Sequence, residues 1–144
     1  MKASLDIAGT FITCLARHDI DGALTLCSPQ CRIQIVPLAL NAPIHVEGRR
    51  FFVSWMTAFP DLSLSTRRMF ATREGVVAVE TTFDGTQADA FLGAINQEKH
   101  VDLDEAWLLR IREARVEDVK LYWCQNQLYR RLAVRRLDRV TITA

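Results

Sequence analysis

The chain has 144 residues, 49% of them hydrophobic and 24% charged, with 18 Lys or Arg against 17 Asp or Glu and a net charge of +1. That length suits one domain around a single core, and the composition is that of an ordinary globular protein. A near-neutral charge supplies no field to draw in nucleic acid or anionic lipid, and no apolar run approaches the roughly 20 residues of a membrane span, so neither partner is expected.

The N-terminus, with one lysine and an early Asp6, does not read as an export signal, and a cytoplasmic location is expected. Cys14, Cys27, Cys31 and Cys124 form no CxxC and lack His partners at zinc-site spacing, so reduced thiols and no metal are expected.

In chain order, Leu5, Ala8, Phe11, Ile12 and Leu15 recur at helical spacing and predict a first helix over Ser4–His18, capped by Ser4 or Asp6. Asp21 is placed to cap a short second helix, Gly22–Leu26, that stops before Ser28-Pro29. Cys31–Leu38, rich in β-branched residues, predicts the first strand. After Glu47-Gly48-Arg49-Arg50, the residues Phe51, Phe52, Trp55, Met56 and Phe59 make one apolar helical face, which Pro60-Asp61 ends.

The remainder reads as strands: Leu62–Thr72, Val76–Phe83 beyond a turn at Arg73-Glu74-Gly75, Lys99–Ile111, and Val116–Cys124 beyond a hairpin turn at Glu113-Ala114-Arg115. A period of two puts Val101, Leu103, Glu105, Trp107 and Leu109 on one face of the third of these, with Asp102, Asp104 and Arg110 on the other. On the last strand Val119, Leu121 and Trp123 share a face, and Tyr122 and Cys124 look the other way. The basic tail, Arg130, Arg131, Arg135, Arg136 and Arg139, reads as a solvated helix face. Helices first and antiparallel strands afterwards predict an α+β fold in one domain over 1–144.

Four stretches carry a family resemblance: the opening helix, Asp-bearing turn and Ala-Leu helix; Gly48-Arg49 before the aromatic helix; the run Gly85-Thr86-Gln87-Ala88-Asp89-Ala90-Phe91-Leu92-Gly93; and Val116 followed by Tyr122-Trp123-Cys124-Gln125, Leu128 and Leu132. Over roughly residues 4 to 134 the chain resembles SnoaL-like polyketide cyclases. The resemblance implies the cone-shaped barrel of nuclear transport factor 2 (NTF2-like) and ketosteroid isomerase, a curved sheet wrapped round N-terminal helices with an internal pocket. It also implies a homodimer through the outer sheet face, a small apolar polycyclic substrate and no cofactor. The family keeps an acid/base aspartate after Tyr-Trp, where this chain has Cys124; Gln87 stands where His is common, and Asp89 where Gly is common.

A pocket of that kind is lined by aromatic rings with a few placed polar groups. Trp55, Phe59, Trp107 and Tyr122, with Gln87 beside them, are the substrate-binding candidates, and plain core packing is the competing reading of each ring. A thiol with a pKa of about 8.5 is only a few per cent ionised at neutral pH, whereas an aspartate at about 3.9 is fully so. Cys124 can therefore replace a carboxylate only if a cation such as Arg110 lowers its pKa; otherwise it fills a small niche. Asp89 and His45 are candidates for a relocated acid/base pair, with a solvated turn and a loop as their bland alternatives.

GxSxG, P-loop, GxGxxG and HExxH motifs are absent, and the first strand offers no carboxylate of the kind ketosteroid isomerase uses as base. Two functions stay open. One is cofactor-independent cyclisation or isomerisation of a polyketide-like polycyclic intermediate, with Asp89, Cys124, Arg110 and His45 as catalytic candidates. The other is a non-catalytic small-molecule-binding or dimerisation module.

Overall fold

The computed structural model describes residues 1–134, so Arg135, Arg136 and Arg139 of the basic tail lie outside the described residues. Helices α1 (Lys2–Ala16) and α2 (Ile20–Thr25) come first, followed by strand β1 (Cys27–Ile35), a 3₁₀ turn and the short β2 (Leu40–Pro43). A π-helical turn (Ile44–Gly48) leads into α3 (Arg49–Ala58). Strands β3 (Ser63–Ala71), β4 (Val76–Thr86), β5 (His100–Arg112) and β6 (Arg115–Trp123) follow, and α4 (Gln125–Arg131) closes the described chain. The class is α+β, as the element order predicts: one curved six-stranded sheet in the order β2-β1-β6-β5-β4-β3, with the helices against its inner face.

The pleat decides what the sheet presents inward. Along β4, Val77, Val79, Thr81, Phe83 and Gly85 are buried; along β5, Val101, Leu103, Glu105, Trp107, Leu109 and Ile111. Against these faces α1 brings Phe11, edge-on to Trp107, and α3 brings Phe51, Phe52, Trp55 and Met56. Full burial of each such large apolar side chain is worth about 1.5–3 kcal/mol, so the aromatic stripe of α3 is a principal tie between helix and sheet. Gly85 lets β4 pass close under the end of α3: a Cβ there would lie 3.1 Å from Phe59 Cβ and from the Phe83 ring, a tight approach.

Several local expectations shift. The first helix begins at Lys2 with Met1 as its N-cap and no side-chain cap, so neither Ser4 nor Asp6 serves. Asp19, not Asp21, caps α2, its carboxylate accepting from Gly22 N; Asp21 instead pairs with Arg49 at 2.7 Å. The first strand starts four residues earlier, at Cys27, and pairs parallel with β6, so the sheet is not purely antiparallel. That pairing joins the two ends of the fold, and no local pattern announces it. The hairpin between β5 and β6 turns on Glu113 and Ala114, both at positive φ, and the turn before β4 on Gly75, where a Cβ would meet Ile111 O at 2.5 Å. All four cysteines are free. No helix among the described residues is long and apolar enough to cross a membrane.

Candidate functional site

Inside the curve of the sheet lies a cavity of about 10 Å³, lined by Phe51 and Trp55 from α3, Phe83 from β4, Phe91 from the segment before β5, Leu103 and Glu105 from β5, Trp123 from β6 and Leu128 from α4. That is the lower limit of room for one water. Its wall is a stack of rings: Phe51 lies nearly parallel to Trp123 at 5.9 Å and to Trp55 at 6.0 Å, while Trp55 meets Phe83 edge-on at 5.3 Å. Trp123 is half-buried, its indole N–H donating to Gln125 Oε1 at 2.7 Å. Behind it α4 is tied down, the Tyr129 hydroxyl donating to Leu92 O at 2.7 Å and Gln97 Nε2 to Leu132 O at 3.2 Å.

Glu105 is the one titratable side chain on this wall among the described residues and is only 6% exposed. Alternation along β5 places it there between Leu103 and Trp107, and pairing sets it beside Thr81 of β4 and Trp123 of β6. Burial pushes its carboxyl up to about 8, and a hydrogen bond from the Thr81 hydroxyl, at 3.5 Å, only partly opposes this. The charged form has lost its water without gaining a counter-charge, which is the condition under which a carboxylic acid stays protonated at neutral pH. Trp107 in turn donates its indole N–H to Thr81 Oγ1 at 3.0 Å. At pH 7 the cavity therefore holds a neutral acid, able to donate a proton, among aromatic faces.

The residues singled out from the sequence are scattered rather than gathered. Trp55 lines the cavity, whereas Phe59 packs edge-on against Phe83 and Phe91 outside the lining, and Trp107 is wholly buried behind Thr81. Tyr122 is on the outer face of the sheet, 37% exposed, because the pleat turns it away from Trp123. Gln87 is buried as a loop tie, its amide donating to Asp89 O and Ala94 O and accepting from Gln97 N. Asp89 is exposed and accepts from Ala90 N in its own turn. His45 sits in the π-helical turn against Ser28 O at 2.9 Å, beside Cys27 and Pro29 and away from the cavity.

Cys124 is exposed: the strand ends at Trp123, and the thiol is the N-cap of α4, its sulfur accepting from Gln127 N at 3.4 Å. Arg110 cannot serve as its cation. It pairs in register with Asp118, whereas Trp123, the neighbour of Cys124, pairs with Glu105, five residues back along β5 or about 17 Å. Arg110 lies instead in a groove of about 560 Å³ on the outer face, with Arg32, Arg112, Arg115, Glu117 and Asp118. This groove is larger than the internal cavity, but its charges of both signs sit side by side, and the one buried acid among the described residues is elsewhere. Among the described residues no cluster of three or more His, Cys, Asp or Glu is placed to hold a metal.

The placement of position 124 yields a direct expectation. Aspartate is among the strongest N-caps, so Cys124→Asp should raise stability by about 0.5–1 kcal/mol through α4, and Cys124→Ala should lower it by no more than about 1 kcal/mol. Asp89→Asn and Cys124→Ala should both leave turnover within a factor of two, as read by initial rates alongside urea unfolding. A large rate loss from either would return the acid/base role to the surface.

The residue that sequence reasoning passed over is Glu105. Its signal lies in the alternation of β5, as a lone carboxylate on an otherwise apolar face.

Comparison with known proteins adds the lineage. The family model for SnoaL-like polyketide cyclases matches residues 5–132. Among solved structures, a candidate SnoaL-like polyketide cyclase from Jannaschia sp. CCS1 superposes with a TM-score of 0.83 at 14% identity, covering 94% of each chain. AclR, a candidate hydroxylase from Streptomyces galilaeus, gives 0.81 at 20% identity over 92% of this chain and 82% of its own. IdmH, a candidate polyketide cyclase from Streptomyces antibioticus, gives 0.75 at 15% identity over 91% and 99%. Likeness at these identities establishes the fold, which a further neighbour with a ketosteroid isomerase-like fold shares. No curated protein matches the sequence.

Proposed function

The chain belongs to the SnoaL-like polyketide cyclase family, and from that premise we propose that it closes or isomerises a ring in a polyketide-like, flat and largely apolar intermediate, with Glu105 as the proton donor. The observation that carries this reading is a buried carboxyl, protonated at neutral pH, as the one titratable group on an aromatic-walled cavity. The substrate's carbonyl oxygen takes the proton of Glu105 as an enol carbon of the same molecule attacks the carbonyl carbon. The enol O–H then returns a proton to the carboxylate, so the acid is regenerated. The step is redox-neutral and calls for no cofactor. Folding the chain of the substrate against the rings supplies the proximity, a contribution that can be large by itself.

A cavity of about 10 Å³ admits such a ligand only when its wall parts. Trp123, half-exposed and held by a single side-chain hydrogen bond, is the element that moves in this reading, while α4 stays anchored through Tyr129. The outer sheet face, where Tyr122 is exposed and Leu108 half-buried, is proposed as the homodimer contact, and sedimentation velocity of the purified chain tests it by mass.

A second reading, a ligand-binding protein without turnover, is favoured by Cys124, which stands where the resemblance places the acid/base aspartate of relatives. The two separate in one experiment: incubation with linear and partly cyclised poly-β-ketone esters, followed by chromatography. Ring-closed product formed by the natural chain and not by Glu105→Gln supports the first reading, and saturable binding without product supports the second.

A further inference from the structure

We infer that Thr81, oriented by the indole of Trp107, is a positioning residue that decides which oxygen of Glu105 carries the acidic proton. The inference rests on Glu105 being the proton donor, and it names the group that aims it.

Counting donors assigns the roles. An indole N–H can only donate, and a threonine hydroxyl has one proton to give. Trp107 Nε1 donates to Thr81 Oγ1 at 3.0 Å, which fixes one lone pair of the hydroxyl and leaves its proton for another acceptor. The acceptor it meets among the described residues is Glu105 Oε1. All three groups are buried on adjacent strands, with Thr81 directly opposite Glu105 in the register, so bulk water does not compete. An oxygen that accepts from Thr81 is the carbonyl oxygen of the acid; Oε2 then holds the proton. No described residue donates to Oε2, and the cavity is what remains for it to face. Without Thr81 the two oxygens become equivalent and the acid loses its aim.

The groups packed round Glu105 keep this arrangement simple. Helix α3 presents Phe51 and Trp55, β4 presents Phe83, β6 presents Trp123 and α4 presents Leu128, none of which titrates. The buried tyrosine of α4, Tyr129, has its hydroxyl committed to Leu92 O.

The test is a titration of the Glu105 carboxyl by carbon NMR in chains labelled at the glutamate side-chain carboxyl, with Glu105→Gln identifying the signal. Thr81→Val should raise the midpoint by about one pH unit, since a hydrogen bond that favours the charged form is lost, and should lower kcat about tenfold with KM within a factor of two. Thr81→Ser should restore both. Trp107→Phe, which leaves the hydroxyl in place but free to rotate, should shift the midpoint upward by less, and it decides the matter alone if Thr81→Val does not fold. A midpoint unmoved in the valine and phenylalanine variants, or moved equally by serine and valine, overturns the inference. Because the midpoint is read without turnover, it stands or falls separately from the catalytic reading: full activity of Glu105→Gln would sink that reading while leaving the titration to judge Thr81.

Discussion

Replacing Glu105 with glutamine is expected to slow the proposed ring closure by orders of magnitude and, at the same time, to stabilise the fold at alkaline pH. The sign follows from linkage. The carboxyl titrates near its ordinary 4.5 in the unfolded chain and near about 8 in the folded one, so between those values the folded state holds a proton that the unfolded state has released. Stability contributed by the buried acid is complete below about 4.5 and is lost as pH rises through about 8. Since a tenfold change in a protonation equilibrium is worth about 1.4 kcal/mol, the loss is several kcal/mol and at most ~5 kcal/mol.

Glutamine keeps the carbonyl that accepts from Thr81 and cannot ionise, so its unfolding free energy should not show that fall. Urea unfolding at pH 5 and pH 9 should therefore find the natural chain and Glu105→Gln alike at the first pH, and the variant the more stable by several kcal/mol at the second. A natural chain whose stability does not fall relative to the variant across that interval would mean the carboxyl is not buried as described. If Glu105 is the proton donor we propose, turnover should drop by ~10²–10⁴, the usual weight of a positioned acid, and kcat/KM of the natural chain should decline above about pH 8 as the donor ionises. Gain in stability with loss of activity in one substitution separates a functional group from a structural one.

What could be read without coordinates depended on whether the controlling interaction was local. The alternation of β4 and β5 is written in neighbouring residues, and it placed Glu105 among apolar side chains correctly. Whether that face is roofed depends on Phe51 and Trp55 of α3 and Leu128 of α4 arriving from elsewhere in the chain, and only the roof turns a surface glutamate into a neutral acid. Position 124 shows the converse. The Tyr-Trp motif located the end of the last strand, but the direction of the next side chain depends on whether the strand continues, and α4 begins there instead. That helix carries few apolar residues, Leu128 and Tyr129 being its buried ones, so only its basic end, Arg130 and Arg131, was read as helical and its start at Gln125 was not. Asp19 and Asp21 differ by one half-turn in the competition to cap α2, and no residue pattern decides it; the choice left Asp21 free to reach Arg49.

The ring stack is the other place where a single change should act strongly. Phe51 is 3% exposed and is the middle ring between Trp55 and Trp123, with Phe52 at 5.8 Å and Phe91 at 6.3 Å completing its surroundings. Phe51→Ala should cost about 3–5 kcal/mol, because the rings around it belong to α3, β6 and the segment before β5 and cannot all collapse into the gap. In a chain of this size that corresponds to a melting temperature lower by roughly 10 °C.

The space released joins the existing cavity beside Glu105, and its walls are apolar, so it should accept a flat ring such as toluene or indole. Scanning calorimetry with increasing ligand should show the variant regaining part of its lost stability in proportion to the logarithm of ligand concentration, while the natural chain responds weakly. A variant that melts within a degree or two of the natural chain, or one that gains no stability from either ring compound, would mean that Phe51 is not the keystone of the wall and that the cavity does not extend through it.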